Sequence, residues 1–456
     1  RWGYFPSFSF AWKLNQENFI KSIGVIDDLK LRAGWGLTGN NRIGDFDAFN
    51  LFSVNASSGY VLGETQSFVP GAYQRNLAVP DLKWETTEQT NIGLNLGLFK
   101  NLDVTVDYYF KRTRDLLLFA EMSPSTGFDR VQQNIGEVNN SGLEITLDSK
   151  NISTNNFEWR TNFNIAFNRN EAVSLNSGQS EILVDPQWND NFMQTEFQYI
   201  TRVGNPVGMI YGLEFDGIYQ LDDFILTNGG TYQLKPGLPS YRSQMQPGMV
   251  KFKDQPTIDT DGDGIADTGN GFIDENDRKI IGNPQPKHIG GFSNEFKYKN
   301  FDFQFLFQWA FDFDLLNANK AEFGSIFQSG RNGFSTLNDI WTPTNPSNNT
   351  GGMRFNGVNL TTPFGYKLDN RHVDDGSYLR LQTVTLGYNF PKELLEKLNI
   401  NKLRISVSGQ NLYTWTNYQG YNPDVSTGRF GALTPGLDYS AYPQSVTISG
   451  GIEVRF

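Results

Sequence analysis

The sequence SVTISGGIEVRF, residues 445–456, decides the fold of this chain. Its apolar or small side chains fall on every second position, at Val446, Ile448, Gly450, Ile452, Val454 and Phe456. The intervening positions carry Thr447, Ser449, Gly451, Glu453 and Arg455. A strand that turns apolar side chains to lipid and polar side chains to a wet lumen is typical of outer-membrane β-barrels. An edge strand of a soluble protein can alternate in the same way, so this stretch alone leaves both classes open.

The same alternation recurs through the chain, which favours the barrel. It is present in LDVTVDYYF (102–110), FEWRTNFNIAF (157–167) and LRISVSG (403–409), and FDFQFLFQWAFDF (301–313) has an aromatic residue at every odd position. A charged side chain at every second place cannot enter a dry core without a partner. A water-filled barrel interior removes that desolvation cost.

Composition supports the same fold class. The chain has 37 Phe, 19 Tyr, 9 Trp and no Cys, and barrels use aromatic residues as lipid contacts and interface girdles. No stretch approaches the roughly 20 apolar residues of a helical span. A membrane-spanning form would therefore be a closed sheet. The net charge of -11 argues against a nucleic-acid partner.

The pattern predicts an all-β chain, a transmembrane antiparallel β-barrel with long extracellular loops. Tight turns are expected at Lys100-Asn101 and Lys299-Asn300, because Asn is a residue that tolerates the left-handed geometry of such turns. Short turns that alternate with long connections are the usual asymmetry between the periplasmic and outer ends of a barrel. Near Thr383 the apolar phase shifts by one residue, which predicts a β-bulge. Eleven strands are expected near 4–14, 28–38, 83–99, 102–113, 141–149, 156–168, 286–298, 301–313, 377–390, 402–413 and 445–456.

An odd strand number suggests part of a larger barrel, because bacterial barrels normally have an even number. The chain opens at Arg1 without an initiator Met or a leader-like segment. Residues 1–456 are therefore expected to be one domain, the C-terminal part of a barrel whose plug and N-terminal strands are absent.

Seven segments of the chain carry a family resemblance. They are FPSFSFAWKL (5–14), LRAGWGLTGNNRIGDF (31–46), NIGEVNNSGLEITL (134–147), residues 259–303, DDGSYLRLQTVTLGYNFP (374–391), SGQNLYTWTNYQGYNPDV (408–425) and YPQSVTISGGIEVRF (442–456). Together they resemble the SusC-like (RagA/SusC) TonB-dependent transporters of the Bacteroidota outer membrane. The resemblance implies the C-terminal 11 or so strands of a barrel of about 22 strands around a plug. It also implies a SusD-like surface lipoprotein as a lid, coupling to TonB through the absent N-terminal part, and import of an oligosaccharide or peptide.

One acidic stretch, DTDGDGIAD (259–267), carries the strongest local chemistry. Asp at alternate positions before the Gly264 turn aims several oxygens at one point, which suits a structural Ca²⁺ with six to eight oxygen ligands. The usual closing Glu is replaced by Asn270, so a later carboxylate would have to close the site. The alternative is a solvated acidic turn without an ion. The candidate ligands are Asp259, Asp261, Asp263, Asp267, Asp274 and Asp277.

An enzymatic function finds little support. The chain has two histidines, His288 and His372, and no cysteine. No nucleophile elbow, P-loop or zinc-protease motif occurs in it. Aromatic residues in the expected loops could stack on a ligand, although packing is the commoner role of any single one. They are Trp188, Tyr199, Tyr241, Trp341, Trp415 and Tyr418.

Three functions fit the expected barrel. An active TonB-dependent importer is favoured by the family resemblance. A passive porin would have the same alternating strands without a plug. A structural or adhesin barrel would have no transport of its own.

Overall fold

A computed structural model describes residues 2–41, 49–64, 66–121, 124–128, 130–175, 179–188, 197–261, 263–324, 332–360, 367–396 and 399–456. The chain divides into two compact units. One comprises Arg1–Ser149, Ala166–Ile182 and Arg202–Asn205, and the other Lys150–Ile165, Leu183–Thr201 and Pro206–Phe456.

The largest element is an antiparallel sheet of eleven strands, named here the main sheet, in which each strand pairs with the next one along the chain. All eleven predicted strands are present, so the predicted fold class is confirmed at this level. The strands are β1 (Ser7–Lys13), β2 (Ile26–Asn40), β3 (Glu85–Leu98), β4 (Leu102–Arg114), β5 (Glu137–Ser153), β6 (Phe157–Ser174), β7 (His288–Tyr298), β8 (Phe301–Phe311), β9 (Tyr378–Asn389), β10 (Lys402–Thr416) and β11 (Thr447–Arg455).

The tight turns lie where they were predicted, and the residues with left-handed backbone there are those that precede Asn. Phe99 and Lys100 take the left-handed conformation, with φ of 55° and 61°, and so does Lys299, with φ of 52°. The pairing of Leu98 with Leu102 leaves a three-residue loop that needs positive φ before Asn101. The amide of Lys100 donates to the Asp27 carboxylate, which stabilises this conformation.

The predicted bulge near Thr383 is confirmed. The register of β9 against β10 shifts between Leu381 and Thr383, and the register of β8 against β9 shifts between Leu306 and Phe307. The extra residue returns the apolar side chains of β9 to the face that they would otherwise leave.

Short strands fill the long connections, which therefore carry much secondary structure of their own. These strands form small sheets that are separate from the main sheet. They are Phe52–Leu62, Ser67–Gln74, Leu117–Glu121, Arg130–Asn134, Glu181–Val184, Tyr199–Arg202, Met209–Gly212, Phe215–Ile218, Phe224–Leu226, Tyr232–Leu234, Val250–Phe252, Lys279–Gly282, Asp314–Asn317, Arg354–Phe355, Val358–Asn359, Val373–Asp375 and Leu437–Asp438.

The helices are short. The α-helices are α1 (Asn18–Lys21), α2 (Ala318–Phe323) and α3 (Lys392–Leu395). Single 3₁₀ turns lie at Leu14–Gln16, Pro124–Thr126, Leu221–Asp223, Glu275–Asp277, Ser335–Asp339, Asn370–His372 and Gly431–Leu433. Among the residues that the structure describes, no helix has the length and apolarity to cross a membrane.

The buried apolar residues concentrate in the connections of the second unit. One cluster contains Tyr199, Ile210 and Leu316, and a second contains Tyr219, Met249 and Trp341. In β11, by contrast, Ile448 and Ile452 are 74% and 73% exposed. The main sheet thus keeps an uncovered apolar face, whereas the connections have dry cores.

Candidate functional site

The acidic stretch forms a tight turn that gathers three of the six predicted ligands. Carboxylate oxygens of Asp259, Asp261 and Asp267 lie within 4.8 Å of one another. The Gly264 amide donates to Asp259 Oδ2 at 2.8 Å, and φ of 87° at this glycine closes the turn. The Thr260 hydroxyl and amide both donate to Asp267 Oδ2, at 2.7 and 3.0 Å. These bonds hold the pKa of Asp267 below its usual range.

The other three predicted ligands lie outside this group of oxygens. Asp263 Oδ1 accepts a hydrogen bond from the Ile265 amide at 2.8 Å. Asp274 and Asp277 instead cap the 3₁₀ turn Glu275–Asp277. Asp277 is fully buried and accepts from the amides of Asp274 and Gln255, at 2.7 and 2.8 Å. Burial raises the pKa of Asp277 in spite of these bonds.

Both histidines have structural partners. His372 is buried, and its Nδ1 lies 3.5 Å from the carboxylate of buried Asp369. The Arg371 guanidinium holds the same carboxylate through two bonds of 2.9 and 2.6 Å. On β7, His288 Nδ1 accepts from the Trp309 indole at 3.3 Å. Neither site presents a nucleophile beside a base.

Most of the aromatic residues singled out from the sequence are packing residues. Trp188, Tyr199, Trp341 and Tyr418 are buried. Three of them also bond inside the fold, because the Trp188 and Trp341 indoles donate to Gln198 and Gln220 and the Tyr418 hydroxyl donates to Asp438. Tyr241 packs on Phe252 with ring centroids 5.7 Å apart. Trp415 lies on β10 instead of in a loop and is 48% exposed.

An ion pair that crosses a glycine was missed from the sequence. Arg32 on β2 and Asp107 on β4 lie on opposite sides of β3 and pair at 2.9 Å. Gly93 lies directly between them in register. A Cβ at Gly93 would overlap Asp107 Oδ1 and lie 2.8 Å from Arg32 Nη2. Arg32 Nε also donates to Asn95 at 2.7 Å.

A similar pair occurs in the second unit. Arg404 on β10 pairs with Asp302 on β8 past Gly387 of β9, with one bond of 2.7 Å. Gly387 lies opposite Asp302 in register, whereas Arg404 lies opposite Asn389 and reaches over the glycine diagonally. A Cβ at Gly387 would lie 2.6 Å from Asp302 Oδ2. Asn389 donates to the same carboxylate at 3.2 Å. One face of the main sheet therefore satisfies its charges with one another, so that it can be polar without isolated buried ions.

Comparison with known proteins agrees with this geometry. Residues 1–241 of the 456 match the family model described as "TonB dependent receptor-like, beta-barrel". The chain belongs to this family.

Relatives of this TonB-dependent receptor chain match it along its whole length. TonB-dependent receptor P3 of Formosa agariphila is 34% identical over 100% of the chain and 42% of the relative. TonB-dependent receptor SusC of Bacteroides thetaiotaomicron is 30% identical over 100% of the chain and 40% of the relative. The chain thus spans about two fifths of the length of these relatives. The predicted resemblance to SusC-like receptors is confirmed.

A solved structure shares the fold. The RagAB peptide importer in its closed-closed state superposes with a TM-score of 0.76 at 23% identity, over 99% of this chain and 43% of the other. The eleven strands are thus part of an outer-membrane antiparallel β-barrel, and the predicted location in the outer membrane is confirmed.

Proposed function

We propose that the protein to which this chain contributes imports a bulky nutrient across the outer membrane. The observation that carries this function is the two-faced main sheet. Its apolar face suits lipid, and its polar face pairs charges such as Arg404 with Asp302 beside a water-filled path. This polar face suits the passage of a polar solute. Within the described part of the chain, its residues form no group of side chains arranged for catalysis.

Energy coupling follows from barrel size. Barrels of about 22 strands enclose a lumen that must be plugged, because the envelope would otherwise leak. Moving a plug requires work, and the outer membrane has no ATP or ion gradient of its own. We therefore infer coupling to TonB, with a SusD-like lipoprotein as the lid and an oligosaccharide or peptide as the nutrient. Family membership supports TonB, and the similarity to SusC and to RagAB supports the lid.

Growth experiments test this function. Deleting the gene should abolish growth on one oligomeric nutrient and spare growth on its monomer. Deleting TonB in the wild-type background should give the same defect, since transport would lose its energy source. Uptake that persists without TonB would instead favour the passive porin, and normal growth on every oligomer would favour a structural barrel.

We also propose that the acidic turn binds a structural Ca²⁺. Three crowded carboxylates repel one another without a cation, and oxygens within 4.8 Å of one another can share one ion. Calorimetric titration of the intact protein should show binding at or below about 1 mM Ca²⁺. Asp261→Ala should abolish binding, whereas Asp222→Ala, which alters an exposed carboxylate outside the turn, should not. Unchanged binding in Asp261→Ala, or none in the wild type, would leave a solvated turn.

A further inference from the structure

A cavity of about 970 Å³ opens beside the hairpin of Phe224–Leu226 and Tyr232–Leu234. Segment 240–246, Phe272 and the turn at Asn356 complete its lining. All of these residues belong to the second compact unit. The volume falls within the range of about 300–1,000 Å³ that is usual for ligand sites.

The lining is rich in neutral hydrogen-bonding side chains. Gln233, Ser243, Gln244 and Asn356 line the cavity and are exposed. Within the described part of the chain, these four side chains make no hydrogen bond to the protein. Of the described lining residues none is acidic, and Arg242 alone is cationic. The fold therefore does not use these amides and hydroxyls, and a ligand can bind them.

Two aromatic rings flank these polar groups. Phe272 is 46% exposed and presents a ring to the cavity. Tyr232 is held from behind by edge-on contacts to Phe224 and Phe355, with centroid separations of 6.3 and 5.1 Å. The described part of the lining thus contains two aromatic rings. The ring of Phe272 is exposed, and the ring of Tyr232 is held in place by its aromatic neighbours.

Backbone bonds anchor the Phe272 rim. The Ser240 amide donates to the Gly271 carbonyl at 3.0 Å, and the Ile273 amide donates back to Ser240 at 2.8 Å. The Asp254 carboxylate accepts from the Gly271 amide at 2.8 Å. This rim continues from the acidic turn, so the turn and the cavity belong to one folded segment.

We propose that this cavity binds an uncharged oligosaccharide. Sugar hydroxyls both donate and accept hydrogen bonds, and so do the side-chain amides and hydroxyls of the lining. An apolar sugar face can stack on the open Phe272 ring. A peptide would be held by main-chain pairing along a sheet edge, but the bordering strand Tyr232–Leu234 has three residues. The assignment names the nutrient class and in that respect rests on the proposed import function.

Direct binding to the intact protein in detergent tests the site. The probes are maltohexaose, cellohexaose, laminarihexaose, mannohexaose and xylohexaose, with hexaalanine as the peptide probe, each measured by calorimetry. At least one sugar should bind. The double variant Gln233→Ala/Gln244→Ala should weaken that sugar about tenfold, which is about 1.4 kcal/mol at 25 °C. The control Gln444→Ala removes an exposed amide that does not line the cavity and should bind like the wild type.

Three results would overturn the assignment. One is that none of the five sugars binds to folded protein, and another is that the double variant binds sugar within twofold of the wild type. The third is binding of hexaalanine alone, lost in the double variant, which would assign the cavity to peptides. Resistance to detergent unfolding at room temperature checks that each variant is folded.

Cysteine labelling provides a second test, because the chain contains no cysteine. A maleimide-polyethylene glycol on Ser243→Cys should block sugar binding, whereas the same label on exposed Ser426→Cys, outside the cavity, should not. Equal binding by both labelled proteins would contradict the site. Neither assay needs TonB. Sugar binding that is weakened in the double variant, together with uptake that persists without TonB, would support the cavity and reject the proposed import function. Uptake that needs TonB, together with sugar binding that is unchanged in the double variant, would reject the cavity alone.

Discussion

The main sheet and the long connections bury the same apolar residue types to very different extents. In β11, Ile448 and Ile452 are largely exposed, whereas Ile210 and Leu316 in the connections are fully buried. The placement of polar groups also differs between the two regions. On the sheet, polar side chains such as Lys402 and Glu453 pair with each other on one face, at 2.7 Å. In the connections, the polar side chains lie at the surface, where they meet water. The main sheet therefore suits contact with lipid, whereas the connections suit contact with water.

This contrast shows what stabilises each region. A sheet face that meets lipid gains nothing from burial against protein, because lipid tails are as apolar as the side chains. Within the sheet, backbone pairing of neighbouring strands and ion pairs such as that of Arg404 with Asp302 hold the strands together. The connections instead depend on dry cores, as water-soluble domains do.

The largest expected effect is a cavity in a connection core. Leu316→Ala should destabilise the second unit by about 2–5 kcal/mol, because Leu316 is fully buried beside Tyr199 and Ile210. Ile448→Ala on the uncovered face of β11 should have a much smaller effect. Denaturant unfolding of both variants in lipid vesicles checks the difference. Equal losses would mean that the two regions are not packed differently.

A charge on the uncovered face should be nearly as damaging. Val407→Arg on β10 should cost about 2–4 kcal/mol near the bilayer midplane, since Val407 is exposed on the apolar face. The matched variant Ser408→Arg puts the same charge on the polar face and should cost far less. Folding equilibria in vesicles measure both. A reversed order would invert the assignment of the faces.

Filling the space beneath an ion pair should have a moderate effect. Gly387→Ala places a Cβ 2.6 Å from Asp302 Oδ2, which should separate Arg404 from Asp302 and cost about 1 kcal/mol. Gly450→Ala is the control, because no heavy atom lies within 4 Å of its added Cβ. An unchanged free energy of unfolding in Gly387→Ala would show that the pair contributes nothing measurable.

The smallest expected effect depends on pH. Burial lowers the pKa of His372, although neighbouring Asp369 opposes the shift. Below about pH 6.5 the unfolded chain binds a proton that the folded chain resists, so stability should fall as pH falls from 7 to 5. His372→Gln should flatten this slope, and His288→Gln should keep it. Unfolding free energies at pH 5, 6 and 7 provide the check, and a steeper slope in His372→Gln would contradict it.

The sequence predicted the main sheet well because period-two alternation is local. The strand ends differ by a few residues, as for β5, which was expected at 141–149 and spans Glu137–Ser153. The acidic turn was also local, and three of its six candidate ligands come together. Asp274 and Asp277 do not join them, because they cap a helical turn of their own.

Contacts between residues that lie far apart along the chain could not be predicted from the sequence. Arg32 and Asp107 are 75 residues apart, and Arg404 and Asp302 are 102 apart. Recognising either pair requires the register of three strands, although a glycine opposite a charged residue is a usable signal. The connection cores have no periodicity of their own. The cavity lining comes from four separate segments, so residue type alone could not bring Gln233, Phe272 and Asn356 together.

The uncovered apolar face of the main sheet can be tested most directly by spin labelling along β11. Single cysteines at residues 447–455 of the cysteine-free chain, labelled with nitroxide in lipid vesicles, report collisions with oxygen and with a nickel chelate. Oxygen collisions should peak at Ile448, Gly450, Ile452 and Val454, and nickel collisions at the residues between them. Collision profiles without this period of two, or with the two sets exchanged, would contradict the account.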